Sequence, residues 1–149
     1  MKTTHTRLLL FFQQYTAYCD RQFQPLLEQM ALTMREVHVL LFLANNPDYD
    51  TARDITVLRG ISKSQVSQAV DLLSAEGFLV RTPDANDRRI VHLSISPDGW
   101  PLAKECQRIQ NFCTEQLVRD LSEEETATFR TLFDRVIDTG THLAEEVAL

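Results

Sequence analysis

Glycine is scarce in this chain: Gly60, Gly77, Gly99 and Gly140 stand far apart, so no glycine-rich loop is available to cradle a phosphate and no nucleophile elbow is spelled out. No acid and base cluster in sequence either, so no catalytic residue, no cofactor and no enzymatic activity are expected. Cysteine is equally sparse. Cys19, Cys106 and Cys113 make an odd number without close paired spacing, unlike a secreted disulfide framework or a zinc ribbon, and read as reduced thiols. His5, His38, His92 and His142 are scattered; no pair has the helical spacing that brings two ligands onto one face, and no metal site is expected. The longest early apolar run, Leu8 to Phe12, stops at Gln13 and Gln14, too short for a membrane span or a signal-peptide core, which points to a cytoplasmic protein without a membrane partner. Tandem repeats, linkers and low-complexity stretches are also missing, so residues 1–149 read as one unit.

What is present is a globular composition, 44% hydrophobic and 24% charged, able to fold around a core or to spend apolar surface between subunits. The net charge of −6 argues against a nucleic-acid partner if taken as an average, but the sign is unevenly spread. Between Thr51 and Ser96 six basic residues meet five acidic ones, whereas from Asn111 onward nine acids face three bases. Phosphate repels that acidic end, which would orient the molecule on DNA.

Apolar residues at Leu8, Phe11, Phe12, Tyr15, Tyr18, Phe23, Leu26, Leu27 and Met30 recur near helical spacing and predict one long first helix, with Pro25 as a point of kinking. Thr33 and Glu36 form a capping box for a largely buried second helix carrying Val37, Leu40, Leu41 and Leu43. Thr51 and Asp54 open a short third helix with an Ile55 and Leu58 stripe, closed by Gly60. From Ser62 a fourth helix buries Val66, Ala69, Val70 and Leu73 while Lys63, Ser64, Ser67, Gln68 and Asp71 turn away, and Gly77 ends it. Phe78 to Arg81 and Ile90 to Ile95 predict two strands, the second turning Val91, Leu93 and Ile95 inward and His92 and Ser94 outward, joined by a tip rich in turn residues. Ser96 to Asp98 starts a fifth helix with Leu102, Cys106, Ile109, Cys113 and Leu117 on one stripe. Ser122 and Glu125 cap a sixth, along which Phe129, Leu132, Phe133, Val136, Ile137, Leu143 and Val147 form a stripe that needs a cover. The expected fold is mainly α with a small β-wing.

A short helix, a glycine turn and a second helix with a small polar face form the arrangement that lets one helix enter the major groove of DNA. Lysine reaches phosphate or guanine, glutamine pairs with adenine through two bonds, and serine donates or accepts without bulk. Ser62, Lys63, Ser64, Gln65, Ser67 and Gln68 are therefore candidate DNA contacts, Gln65 and Gln68 as base readers. The same face would suit a solvated helix in a bundle, and the wing distinguishes the two, because Arg88 and Arg89 at its tip stand where cations meet an adjacent minor groove.

The order of parts, the segment ISKSQVSQAVDLLSAEGFL and the segment DANDRRIVHLSISPDG resemble the recognition helix and Asp-x-Arg wing of the MarR family, and LTMREVHVLLFL is similar to that family's second helix. The resemblance implies a winged helix-turn-helix with N- and C-terminal dimerisation helices: residues 33–99 as the DNA-binding lobe, residues 1–32 and 100–149 as the dimerisation helices. It implies a homodimer whose two-fold axis matches a palindromic operator on double-stranded DNA, with repression as the mode of regulation. On this resemblance Asp87 braces the wing and one of Arg88 and Arg89 enters the minor groove, without deciding which. The sequence departs from the family pattern at Thr56, where alanine is usual, and at Gln68, where a basic residue is common.

Such regulators respond to ligands in a cleft near the dimerisation helices, here a small aromatic or phenolic effector, with Tyr15, Cys19, His38 and Cys106 as candidate lining beside Phe12, Tyr18 and Phe23. Those aromatics serve equally as dimer core. One alternative is a redox-sensing regulator using Cys19. In the peroxide-sensing branch of the family the reactive cysteine lies nearer the helix start, and alignment on the Pro-Leu-Leu at Pro25 puts Leu9 there. The other alternative is a helical protein-interaction module without DNA binding, which the acidic charge favours.

Overall fold

The computed structural model describes residues 3–147, with side chains through Glu145. It contains six helices and one antiparallel pair of strands: α1 (Thr4–Met30), α2 (Met34–Asn45), α3 (Ala52–Arg59), α4 (Lys63–Ala75), β1 (Leu79–Pro83), β2 (Val91–Ile95), α5 (Trp100–Leu117) and α6 (Glu123–Val147). The fold is mainly α with a small β-wing, as the sequence pattern predicts. Two compact units divide the chain, the first ending at Asn111 and the second beginning at Phe112.

The boundaries around α2, α3 and α4 have local chemical causes. The Glu36 carboxylate accepts from the Thr33 backbone N–H at 2.7 Å and from the Thr33 hydroxyl at 2.5 Å, fixing the start of α2. Thr51 and Asp54 exchange reciprocal bonds at 3.0 and 3.2 Å, satisfying orphan N–H groups at the start of α3. Gly60 closes α3 at φ 70°, the left-handed region that costs a side chain-bearing residue more than glycine. The Ser62 hydroxyl accepts from the Gln65 N–H at 3.2 Å and caps α4. Despite Pro25, α1 runs unbroken from Thr4 to Met30.

Val37, Leu40, Leu41, Leu43, Ile55, Val66, Ala69, Val70, Leu73, Leu79 and Leu93 are buried, so α2, α3, α4 and the wing share one core. Two expected core positions are corrected by the structure. Leu58, placed on the buried stripe of α3, is exposed, because an eight-residue helix turns only Ile55 fully inward. Val91, expected to face in, is also exposed, while Leu93 is buried and Ile95 half-buried; Val91 pairs with Pro83 at the tip end of the ladder, beyond the reach of the core.

The wing pairs Leu79 with Ile95 through Pro83 with Val91. Its other edge is paired too, since Thr51 bridges His92 and the Leu93 N–H donates to the Asp50 carbonyl at 2.7 Å. At the wing's exit Gly99 lies against β1's lead-in: a Cβ there would collide with the Phe78 carbonyl group. On α5, Leu102, Cys106, Ile109 and Cys113 are buried as expected, but Leu117 is exposed.

In the second unit, the Glu125 carboxylate accepts from the Ser122 N–H at 2.8 Å and the Ser122 hydroxyl from the Glu125 N–H at 3.2 Å, the expected capping box of α6. Phe129, Leu132, Phe133, Val136, Ile137 and Leu143 all lie exposed, with Phe129 and Phe133 stacked at 5.4 Å. The side chain of Val147, the last position of that stripe, lies outside the described residues.

Candidate nucleic-acid interface

The face of α4 opposite the core carries Lys63, Ser64, Gln65, Ser67 and Gln68, all exposed, with Ser62 exposed at its N-cap. Val66, Ala69, Val70 and Leu73 anchor the helix from below, so the polar residues project from a rigid element, not from a loop. An exposed ion pair between Arg81 on β1 and Asp71 on α4 ties this helix to the wing.

At the wing tip the two arginines differ. Asp87 accepts from the Arg89 backbone N–H at 3.0 Å, from Arg89 Nε at 3.0 Å and from an Arg89 terminal nitrogen at 2.9 Å, while the Arg89 side chain stays 90% exposed. The guanidinium is therefore oriented yet open to a partner, and these bonds hold the Asp87 carboxyl below its usual range and the Arg89 guanidinium above its own. Arg88 is exposed and has no ion-pair partner among the described residues.

Two features of the site escaped sequence reasoning. His92, assigned only an outward direction, bridges two carboxylates: Nδ1 lies 2.8 Å from Asp50 and Nε2 2.8 Å from Asp84. Asp84 also accepts from the Asn86 and Asp87 backbone N–H groups at 2.9 Å. Its hydrogen bond from His92 and those two amides pull its pKa down to about 2, and the bonds to Asp84 and Asp50 raise that of His92. The clamp fixes the tip that carries Asp87, Arg88 and Arg89 to the segment leading into α3. The second feature is Arg35 in the first turn of α2, which donates to Glu36 at 3.2 Å and to Gln68 at 2.5 Å. Sequence separations of 42 and 33 residues leave no local signal for either.

The four residues expected to line an effector cleft lie on three helices, Tyr15 and Cys19 on α1, His38 on α2 and Cys106 on α5. Tyr15 edges a shallow groove with Arg7, Leu10, Phe11 and Gln14; Cys19 and His38 are half-buried and Cys106 is buried. Burial pushes the Cys106 thiol up to about 11, aided by the charge of Glu105, which keeps it protonated and unreactive. Burial, with the nearby charge of Arg59, lowers the His38 pKa against the opposing pull of Asp20. The larger groove of the first unit, about 510 Å³, runs between α1 and α5 and is lined by other residues, among them Leu26, Met30, Phe78, Leu102 and Ile109. Among the described residues no cluster of three or more His, Cys, Asp or Glu side chains could hold a metal ion, and no helix is long and apolar enough to cross a membrane.

A sequence model of the MarR family matches residues 32–90. The multiple antibiotic resistance protein MarR of Salmonella typhimurium is 25% identical over 88 residues, a match covering 58% of this chain and 61% of that relative; the Salmonella typhi protein of the same name matches equally. The fold is similar to that of a mutant MarR from E. coli, with a TM-score of 0.73 at 18% identity over 92% of this chain and 98% of that one. It is also similar to the S. aureus MepR chain solved in a MepR–DNA complex, with a TM-score of 0.70 at 23% identity over 93% and 99%. Capped α2 and α3, the glycine turn into α4 and the arginine-tipped wing all fall within or beside the segment that matches the MarR family model, and the two solved neighbours share this fold.

Proposed function

We propose that the chain is a DNA-binding transcription regulator, a homodimeric repressor whose 33–99 lobes occupy the half-sites of a palindromic operator. The observation that carries this reading is the pairing of a rigidly anchored polar helix face with an oriented, solvent-open arginine on the wing beside it. In this reading α4 enters the major groove, where Lys63 meets phosphate or guanine and Gln65 and Gln68 meet base edges. Asp87 preorganises Arg89 for the adjacent minor groove, and Arg88 is left for phosphate. The DNA-bound state of the MepR neighbour is consistent with this use of the fold.

The exposed apolar stripes support the dimer. Leu8, Phe11 and Phe12 on α1 and Phe129 to Leu143 on α6 are open to solvent, a cost that a second copy, contacting residues 1–32 and 100–149, removes. A small aromatic effector would take the groove between α1 and α5, where Leu26, Phe78, Leu102 and Ile109 line the wall beside an exposed Arg108 paired with Glu105 at 2.7 Å. Binding there shifts DNA affinity only if the DNA-bound and free arrangements hold the ligand unequally.

The test is binding of the purified protein to its own upstream intergenic DNA beside an Arg88→Ala, Arg89→Ala variant. The reading requires sequence-selective binding that the variant weakens about tenfold or more. No selective complex for either protein, at several salt concentrations, would favour the protein-docking alternative.

A further inference from the structure

As a base reader that pairs with adenine in two places, Gln68 requires both its carbonyl and its amide to face the groove: Nε2 donates to N7 while Oε1 accepts from N6. The structure restricts that freedom. Arg35 donates to Gln68 Oε1 at 2.5 Å, and a guanidinium has no acceptor, so the carbonyl end of the carboxamide must be the end that faces it. Gln68 Nε2 lies 3.3 Å from the Ser64 hydroxyl on the preceding turn of α4, which leaves an N–H of this amide for an outside partner.

Arg35 is itself fixed. Its Nε donates to the Glu36 carboxylate at 3.2 Å, and Glu36 is fully buried, held by the Thr33 N–H and hydroxyl. Burial pushes the Glu36 carboxyl up, but the Thr33 bonds and the Arg35 charge outweigh it and leave it lowered and ionised. A continuous chain of bonds thus runs from the buried cap of α2 through Arg35 to the exposed face of α4, and it sets the orientation of one reading side chain.

We propose that Arg35 is a specificity-positioning residue that turns the Gln68 carbonyl away from DNA, so that Gln68 reads acceptors and favours guanine over adenine at its base pair. Guanine presents two acceptors, O6 and N7, on its major-groove edge, whereas adenine presents an amino group that here finds no carbonyl to receive it. The inference rests on the DNA-binding reading above and specifies the base class read at one position.

The experiment is selection from a pool of random duplexes by the full-length wild type, by Gln68→Met and by Arg35→Met, with folding of each variant verified by thermal unfolding. Gln68→Met locates the base pair, as the position whose preference it erases. The wild type is expected to favour guanine there, and Arg35→Met to shift the ratio of adenine to guanine upward by about tenfold, the scale of a good bidentate contact. General damage to the lobe would lower affinity for all duplexes and leave their ranking intact. A wild type that already selects adenine opposite Gln68, or an Arg35→Met ranking identical to that of the wild type, overturns the inference while the regulator reading stands. Enrichment of no duplex by the wild type overturns the DNA-binding reading itself.

Discussion

His92 shows how a single residue sets the wing. With a carboxylate on each ring nitrogen at 2.8 Å, the imidazolium satisfies both partners, whereas a neutral ring can donate to only one and turns a lone pair toward the other. Its folded pKa lies above 6.5, so the stabilisation is complete below 6.5 and is lost as pH rises through the folded value. Asp84 runs the opposite way: lowered from 3.8 to about 2, its contribution is complete above 3.8 and is lost as pH falls toward 2. The clamp is therefore strongest between these limits. Proton NMR of the His92 ring should show titration above 6.5, moved downward in Asp84→Asn, with faster amide exchange at the wing tip on the alkaline side. A His92 titration at or below 6.5 in the wild type would contradict this account.

Helix boundaries were the most legible elements because their causes lie within three residues. Thr33 with Glu36, Thr51 with Asp54, and Ser122 with Glu125 all make the bonds their spacing predicts. What failed was depth: helical periodicity says which side faces inward, not how far the core extends, so Leu58 and Leu117 were placed on stripes whose ends lie exposed. Of the candidate site, the α4 face and the wing arginines could be read from residue type and order. Arg35 and the Asp50–His92–Asp84 clamp could not, since their partners meet only after α2, α4 and the wing have packed. Gly99 belongs to this scale as well. A Cβ at that position meets the Phe78 backbone, not a side chain that could move aside, so Gly99→Ala should destabilise the fold by about 1–3 kcal/mol, measurable by denaturant unfolding. An unchanged midpoint would show that the wing and the start of α5 separate at little cost. Ser62→Ala, which removes the cap of α4, is expected to cost about 1 kcal/mol.

For the whole molecule the governing facts are an uneven charge and apolar helix faces without a cover. A net charge of −6 does not forbid DNA binding, because in the proposed reading phosphate meets the basic residues of α4 and the wing locally while it repels the acidic C-terminal region. The stripe of α6 is the complementary fact, with Val136 65% exposed and aromatic neighbours beside it. Burying such surface in a second copy contributes about 25 cal/mol per Å², so Phe133→Asp combined with Val136→Asp should convert a dimer into monomers in sedimentation velocity, and an unaltered dimer would place the interface elsewhere. The most direct test of the central claim is the salt dependence of binding to the protein's own upstream intergenic duplex. The account predicts a selective complex whose log affinity falls linearly with log salt, with a slope of about −0.9 per phosphate neutralised, shallower in Lys63→Ala. A protein that forms no selective complex across the salt range, or one whose affinity ignores salt, would contradict it.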